Sequence, residues 1–312
     1  MPEGDTVYLA ATRLRAALVG ERLTATDFRL PQLATADLAG QTMVDVTPVG
    51  KHLFLRTDAG ITLHTHFRMQ GSWHLYRPGQ GWAPPESDVR VVLRTEPWVA
   101  VGYRLPVCEL LPTEHDQDVV AHLGPDPLGP AWDRDEVVRR FLLEPGREIG
   151  TAVLDQTVMA GPGNVYKNEI MFLRGVNPWT PVGEVPDLPG FVDKLAKLMD
   201  ANRGTGSQIT TGDTRPGRTS WVTARAGKPC RRCGTTIRKG AQQSYEIDRP
   251  TYWCPRCQPA PTGTPSGPAG AVPGSTSAAT PSPPAEARRP GTGRVPVWRG
   301  SVRQSRPRAG PR

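Results

Sequence analysis

The sequence predicts an α+β protein with several domains, and three observations support this prediction. The chain opens with the apolar period of a helix, continues with the two-residue alternation of strands, and then returns to helical periodicity. Beyond these segments, four of its five cysteines form two C-x2-C pairs. With 312 residues, the chain has room for two or three domains and a sizeable core.

The first element is a helix that starts almost at the first residue, in MPEGDTVYLAATRLRAALVGERL. Its apolar residues fall on one helical face; they are Val7, Ala10, Ala11, Leu14, Ala17 and Leu18. Asp5 or Thr6 is expected to cap this helix. Chain ends are usually frayed, so a helix with a buried face that begins this close to Pro2 suggests that the first residues have a function.

Alternating segments follow and predict an antiparallel sheet domain that ends at about residue 123. The segments are HLFLRT, GITLHTHF, VRVVLRTE and WVAVGYRL. His64 and His66 suggest a metal pair, but no further ligand type stands at a suitable spacing, so we interpret both as residues of a polar strand face. Cys108 stands apart from the other cysteines and is interpreted as a buried strand residue.

Helical segments follow the linker GPDPLGP at 124–130, which is rich in residues that break secondary structure. Their approximate bounds are 134–143, 150–160, 164–174 and 188–201, and the segment 202–220 is predicted to be a loop. Gly161-Pro162-Gly163 predicts a tight reversal between two of these helices. Asn164 is expected to cap the second helix and leave its first amides free to bind phosphate. The alternative is a simple turn.

The cysteines Cys230, Cys233, Cys254 and Cys257 have the spacing of a closed tetrahedral site for one structural zinc ion. The alternative is a redox dithiol or reduced free cysteines. The intervening segment predicts a β-hairpin, with Arg238 and Lys239 at one turn and Arg249 on the returning strand.

Charge is divided unevenly along the chain. Residues 1–202 hold 19 Lys and Arg against 26 Asp and Glu, residues 203–257 hold 11 against 3, and residues 258–312 hold 8 Arg against 1 Glu. A basic C-terminal third suggests a polyanion, most simply nucleic acid; the alternative is a solvated basic tail without a partner. No signal-peptide pattern and no long apolar run are present, so we expect a soluble cytoplasmic protein.

The last segment, 258–312, is dominated by Pro, Gly, Ser, Ala and Thr and is predicted to be disordered. Trp298 beside Arg299 provides an aromatic ring that can stack on bases. We therefore hypothesise that this tail adds DNA affinity that does not depend on sequence. The alternative is a solvated extension with no role in binding.

Three separated features coincide: the N-terminal Pro-Glu-Gly, the GPGN turn, and a cysteine module with Arg249 five residues before its third cysteine. Together they resemble the formamidopyrimidine-DNA glycosylase / endonuclease VIII family over about residues 1–257. The resemblance implies an N-terminal helix plus two-sheet antiparallel β-sandwich (1–123), a helix–two-turn–helix DNA-binding domain (131–202) and a zinc finger (221–257).

The resemblance implies a bifunctional DNA glycosylase and AP lyase of base excision repair. The resemblance also implies a monomer whose partner is damaged double-stranded or single-stranded DNA. The protein is expected to be cytoplasmic and associated with the nucleoid, and not to bind a membrane. In the family, methionine is removed, Pro2 becomes the nucleophile and Glu3 transfers protons. A backbone amine has a pKa near ~8, against ~10.4 for lysine, so a useful fraction is unprotonated at neutral pH. The secondary amine of proline forms an iminium without needing a further proton.

Four more residues are assigned by the same resemblance. Lys51 in VGKHLF matches a catalytic lysine that holds the phosphate at the damaged site; the alternative is an ordinary lysine at the start of a strand. Asn164 and Arg249 match residues that bind the DNA backbone. Met69 in THFRMQGSW matches the wedge that replaces a flipped nucleotide; the alternative is a core residue that continues the apolar alternation of the strand.

The sequence also departs from the family pattern. Thr6 stands where many members have a second carboxylate, and WVAVGYRLPVCEL lacks the Arg-Phe-Gly triplet of the guanine-lesion branch. The chain is therefore closer to the endonuclease VIII branch, with a start typical of an actinobacterial subgroup, and oxidised pyrimidines and abasic sites are the favoured substrates. Two other functions stay open: an AP lyase with little base excision, and a non-catalytic nucleic-acid-binding protein with a zinc ribbon.

Overall fold

The computed structural model describes residues 2–82, 84–244 and 247–260. The predicted disorder of the tail from residue 261 onward therefore falls outside the described residues. Gln258, which the sequence places in the tail, is fully buried: its side chain accepts a hydrogen bond from Cys254 N and donates one to Val176 O. The ordered part of the cysteine module thus includes Gln258.

The N-terminal helix, α1, spans Gly4–Leu18 and buries the predicted apolar face. The predicted cap is wrong. Glu3 is the N-cap residue, with no side-chain hydrogen bond to its own helix, and Asp5 and Thr6 lie inside the first turn. The Glu3 side chain is instead directed to another helix.

Eight strands form two four-stranded antiparallel sheets that pack on each other and on α1. The strands are β1 (Ala25–Phe28), β2 (Met43–Val49), β3 (His52–Thr57), β4 (Ile61–His66), β5 (Ser72–Tyr76), β6 (Val89–Arg94), β7 (Val99–Tyr103) and β8 (Val107–Pro112). Their orders are β1-β6-β7-β5 and β2-β3-β4-β8. One core joins Leu53 and Leu63 of one sheet, Val91 and Ala100 of the other, and Leu14 of α1, which confirms the predicted β-sandwich.

The helical region contains α2 (Arg134–Phe141), α3 (Ile149–Ala152), α4 (Asn164–Arg174) and α5 (Leu188–Asn202). The predicted helix at 150–160 is wrong in extent, because α3 ends after one turn. Asp155 Oδ1 accepts from Thr157 N, and Gln156 Oε1 accepts from Gly161 N, at 2.9 and 3.0 Å. Such local side-chain bonds replace helical ones and end the helix.

Helix α4 is buried on nearly all sides. Tyr166, Ile170 and Met171 belong to the core of the helical region, and Phe172 packs against the cysteine module. Glu169, also buried, accepts hydrogen bonds from the backbone N–H groups of residues 221–223. The helix therefore connects the helical region with the segment that leads to the cysteines.

The cysteine module contains the antiparallel hairpin β9 (Arg238–Ser244) and β10 (Ile247–Trp253). Arg249 lies on the returning strand, as predicted, whereas Arg238 and Lys239 begin β9 instead of forming a turn. In the described part of the chain, no helix combines the length and apolar character needed to cross a bilayer.

Candidate active site and zinc centre

The Glu3 carboxylate occupies the N-terminus of α4. Its Oε2 accepts from Gly163 N at 2.7 Å and its Oε1 from Val165 N at 2.8 Å. These are the amides that the sequence suggested would bind a phosphate, so that prediction is wrong: the anion at the helix start is Glu3. Asn164 is not the cap either, because α4 begins at Asn164 and its N-cap is Gly163.

Glycines allow the first residues to approach this helix. A Cβ at Gly163 would lie 2.6 Å from Glu3 Cδ, and one at Gly4 would lie 3.0 Å from Gly161 Cα. Gly4 N donates to Gly161 O at 3.0 Å, and Gly161 has a φ of +102°, which favours glycine. The GPG turn therefore serves as the surface on which Glu3 and Gly4, the two residues after Pro2, are fixed.

Burial raises the pKa of the Glu3 carboxyl, and the nearby Lys51 together with the α4 amides opposes this rise. Burial is the main cause that lowers the pKa of Lys51 to about 8; the charge of Glu3 opposes this fall and the charge of Arg249 contributes to it. Lys51 is thus close enough to both Glu3 and Arg249 for their charges to change its pKa, although 246 positions of the sequence separate Glu3 from Arg249.

Lys51 lies at the turn between β2 and β3, and its Nζ donates to Pro162 O of the GPG turn at 2.6 Å. Asp126 holds the turn between β2 and β3, because its Oδ2 accepts a hydrogen bond from Gly50 N at 2.7 Å. Sequence reasoning missed Asp126. Its position between two prolines of the linker indicated a turn, but nothing in the sequence indicated a partner 76 residues away.

Asn164, Arg249 and Met69 lie on neighbouring elements around the same region. Asn164 Nδ2 donates to Pro250 O at 2.9 Å, which leaves its second N–H for another acceptor. Arg249 Nη1 lies 3.9 Å from Met69 Sδ. The structure therefore brings all three DNA-binding candidates together, from the sandwich, the helical region and the cysteine module.

Met69 is 57% exposed, so its interpretation as a core residue is wrong. Strand β4 ends at His66, and Gly71 N donates to Phe67 O at 2.8 Å, closing a turn that carries Met69 outward. A Cβ at Gly71 would lie 2.7 Å from the Phe67 backbone, so the turn depends on this glycine. The role of Met69 as a wedge stays a prediction.

The histidines belong to the outer face of the β2-β3-β4-β8 sheet. His64 is buried, with Nε2 2.9 Å from His52 Nδ1 and Nδ1 2.8 Å from Glu109 Oε1. His66 Nδ1 accepts from Arg68 N. Among the described residues, the four cysteines of the module are the only group of three or more potential ligand side chains close enough together to hold a metal ion. Both histidines lie on β4, as their interpretation as strand residues predicted. Cys108 is buried on β8, as predicted.

The four cysteine sulfurs lie within 4.8 Å of one another. Cys233 Sγ lies 3.4 Å from Cys254 Sγ and 3.5 Å from Cys257 Sγ, and Cys230 Sγ lies 4.0 Å from Cys257 Sγ. Thiolates about 2.3 Å from a tetrahedral zinc ion are about 3.8 Å apart, so these residues fit the ion. With four thiolates, no coordination position remains for a substrate.

Three family models match the chain in the order of its parts. They are the formamidopyrimidine-DNA glycosylase N-terminal domain at residues 1–104, the H2TH domain of the same family at 123–187, and the zinc finger found in FPG and IleRS at 227–260. The chain belongs to the formamidopyrimidine-DNA glycosylase / endonuclease VIII family. The fold and the single zinc finger expected from the sequence are thereby confirmed.

Relatives of this family member carry the names endonuclease 8 and Nei2. The chain is 50% identical to the probable endonuclease 8 2 of Streptomyces coelicolor, over 88% of this chain and 99% of that one. It is 45% identical to the DNA-(apurinic or apyrimidinic site) lyase Nei2 of Mycolicibacterium smegmatis, over 83% and 100%. The predicted branch is therefore confirmed.

A solved structure with a similar fold is the Lactococcus lactis Fpg in complex with DNA containing an abasic site. It matches with a TM-score of 0.69 and 22% identity, over 83% of this chain and 100% of that chain. At this identity the match shows the shared fold.

Removal of zinc is expected to abolish DNA binding and strand cutting. The module has a small apolar core around Phe172, Val222 and Ile237, and a two-stranded hairpin is not stable without further support. One zinc per chain should co-purify, measured by elemental analysis, and no magnesium should be needed. Activity that survives complete chelation would show that the ion does not hold Arg249 in place.

Proposed function

We propose that the protein is a bifunctional DNA glycosylase and AP lyase of base excision repair, acting as a monomer on damaged DNA in the cytoplasm. The observation that carries the proposal is the buried Glu3 carboxylate, which two α4 amides hold beside Pro2, with Lys51 and Arg249 close by. In a non-catalytic DNA-binding protein the same carboxylate would only satisfy the first amides of α4, whereas a glycosylase also needs a proton-transfer group beside the Pro2 amine.

In the proposed reaction, methionine removal frees the Pro2 amine, which attacks the sugar C1′. The bond from C1′ to the base breaks and the base leaves with the electron pair and the proton of the amine, so that C1′ carries the proline nitrogen in place of the base. The C1′–O4′ bond then breaks, O4′ takes up a proton, and the opened sugar stays attached to the proline as an iminium. Glu3 lies next to the reacting nitrogen and transfers the protons. Because α1 and the GPG turn fix Glu3, the amine of the adjacent Pro2 needs little further orientation when the substrate binds.

The iminium then serves as an electron sink for strand cutting. Loss of a C2′ proton expels the 3′ phosphate, and a second elimination expels the 5′ phosphate. Water releases the proline. Lys51, Asn164 and Arg249 provide a cation, an amide N–H and a guanidinium that can hold the backbone phosphates around the lesion. Met69, exposed beside Arg249, would fill the gap left by the flipped nucleotide.

One experiment separates this function from its alternatives. The protein is incubated with duplexes that contain thymine glycol, 8-oxoguanine or a preformed abasic site, and both base release and strand cutting are measured. The proposal is supported if the thymine glycol base is released and the strand is cut at every site from which a base has been released. Cutting of the abasic duplex alone indicates an AP lyase, and binding without cutting indicates a non-catalytic protein.

Raising the pH from about 7 to about 9 is expected to weaken binding to DNA with a non-reactive abasic analogue by about tenfold. The Lys51 amine of the free protein loses its proton near pH 8, whereas a bound phosphate favours the protonated form. Affinity should therefore fall as the pH rises through about 8, measured by fluorescence anisotropy. Lys51→Arg keeps its charge and should show a flatter profile; an identical profile would contradict the assignment.

Removal of the tail is expected to flatten the salt dependence of binding to undamaged DNA. Each neutralised phosphate contributes about −0.9 to the slope of log affinity against log salt, so three or four tail contacts contribute about 3. The cut belongs after Ala260, because Gln258 is buried against the body. Cleavage by bound enzyme should not change. Equal slopes for the full-length and shortened proteins would show that the tail makes no contribution to DNA binding.

A further inference from the structure

Three polar side chains of α4 hold the strand that carries Arg249. Asn164, Lys167 and Asn168 share one helical face and point at β10. Asn164 Nδ2 donates to Pro250 O at 2.9 Å, Lys167 Nζ donates to Thr251 Oγ1 at 2.7 Å, and Asn168 Oδ1 accepts from Tyr252 N at 3.1 Å. The three residues that follow Arg249 are therefore each attached to α4.

Lys167 differs from the two asparagines because it carries an ionisable amine, and its side chain is completely buried. Burial of a cation is costly, and burial together with the charge of Arg249 lowers the pKa of Lys167 to about 7. An apolar residue would fill this position at lower cost. An amine donates hydrogen bonds in both of its protonation states, so the contact with Thr251 persists when the proton is lost.

The hydrogen bond between Lys167 and Thr251 belongs to a network that extends through the hairpin. Thr251 Oγ1 lies 3.1 Å from Gln242 Oε1 on β9 and 3.3 Å from Arg249 O. Gln242 Nε2 donates to Glu148 Oε2 at 2.8 Å, just before α3. The network therefore ties both hairpin strands to two parts of the helical region, and it reaches the backbone of Arg249 directly.

We propose that Lys167 is a positioning residue for Arg249: through Thr251 it fixes β10 on α4, so that the Arg249 guanidinium faces the same phosphate region as Lys51 and Asn164. A two-stranded hairpin cannot define the position of a side chain accurately by itself, whereas directional hydrogen bonds to a buried helix can. This inference rests on the proposed function, because it takes Arg249 as a contact to DNA.

The test is a double-mutant cycle of Lys167→Met and Arg249→Ala, with binding to abasic-analogue DNA as the readout. Methionine keeps the length and volume of the lysine side chain but removes the donor. Each single variant is expected to weaken binding by roughly tenfold and to reduce the salt slope by about 0.9. In the Arg249→Ala background, Lys167→Met should change the affinity less than about twofold, because Lys167 acts through Arg249.

Controls distinguish positioning from general damage. Zinc content and thermal stability are measured for every variant, and Lys197→Met removes an exposed lysine of α5 for comparison. Thr251→Val breaks the same contact from the other side, and it replaces Lys167→Met in the cycle if that variant fails to bind zinc. Equal losses of affinity in both backgrounds, or unchanged affinity in a folded variant, would overturn the proposal. If the Arg249→Ala variant itself binds DNA normally, the result contradicts the proposed function, which takes Arg249 as a contact to DNA.

Discussion

Protein that retains Met1 is expected to form no borohydride-stable cross-link to abasic DNA. An acylated proline nitrogen is an amide, whose lone pair is delocalised into the carbonyl, so it cannot attack the sugar. The processed protein presents a free secondary amine and should cross-link through Pro2. A tag left in front of Met1, compared with the processed chain, gives the two forms, and gel electrophoresis after reduction gives the yield.

Two further measurements make this prediction specific. Pro2→Gly keeps a free but primary amine and should cross-link more weakly than the wild type. The rival nucleophile is Lys51, because burial lowers the pKa of its amine to about 8, close to that of a backbone amine. Mapping of the cross-linked peptide to Lys51 would therefore refute the assignment to Pro2, whereas equal zinc content and DNA affinity in both forms would exclude a folding defect.

Glu3→Gln is expected to reduce base excision by roughly 10²–10⁴-fold and to reduce strand cutting at preformed abasic sites far less. Base release needs proton transfer at the departing base, whereas the Pro2 amine can still open an existing abasic sugar. Both activities are measured on matched duplexes under single-turnover conditions, so that product release does not hide the difference. Equal loss of both activities would show that Glu3 does not act on the base.

The surroundings of Glu3 define the controls for this variant. Both carboxylate oxygens accept N–H groups from the start of α4, so a glutamine must turn its own NH2 toward one of them. We expect a loss of about 1–3 kcal/mol in stability from that unmatched donor. Asp5→Asn is the matched control, because Asp5 is also a buried carboxyl near the start of α1, with a pKa that burial raises. It should keep base excision.

Local patterns accounted for much of what was predicted. The spacing of Cys230, Cys233, Cys254 and Cys257 is a property of short turns, and the structure places their sulfurs within 4.8 Å. The alternation in β3, β4, β6 and β7 and the apolar face of α1 are likewise local. Strands β1, β2 and β5 were not identified, and β8 was indicated only by Cys108, in part because Pro48 in β2 and the four-residue length of β1 weaken such signals.

The polar contacts of the candidate site could not be predicted, because they join residues that are distant in the chain. Glu3 meets Gly163 across 160 positions, Gly50 meets Asp126 across 76, and Lys167 meets Thr251 across 84. A buried polar side chain has no periodicity that identifies its partner. The same limit explains the wrong cap at Asp5 or Thr6: the local rule was sound, but a tertiary contact took Glu3 to another helix.

The sequence by itself predicted the composition of the candidate site: an N-terminal Pro-Glu, a glycine turn, a zinc-binding cysteine module and Arg249, which together carry the family resemblance. Only the tertiary structure decided their arrangement. It placed Glu3, rather than a phosphate, on the amides of α4, turned Met69 outward beside Arg249, and attached β10 to α4 through Lys167. The reason is physical: residue types and spacings are local, whereas the burial of a charge is settled by whichever distant groups can satisfy its hydrogen bonds.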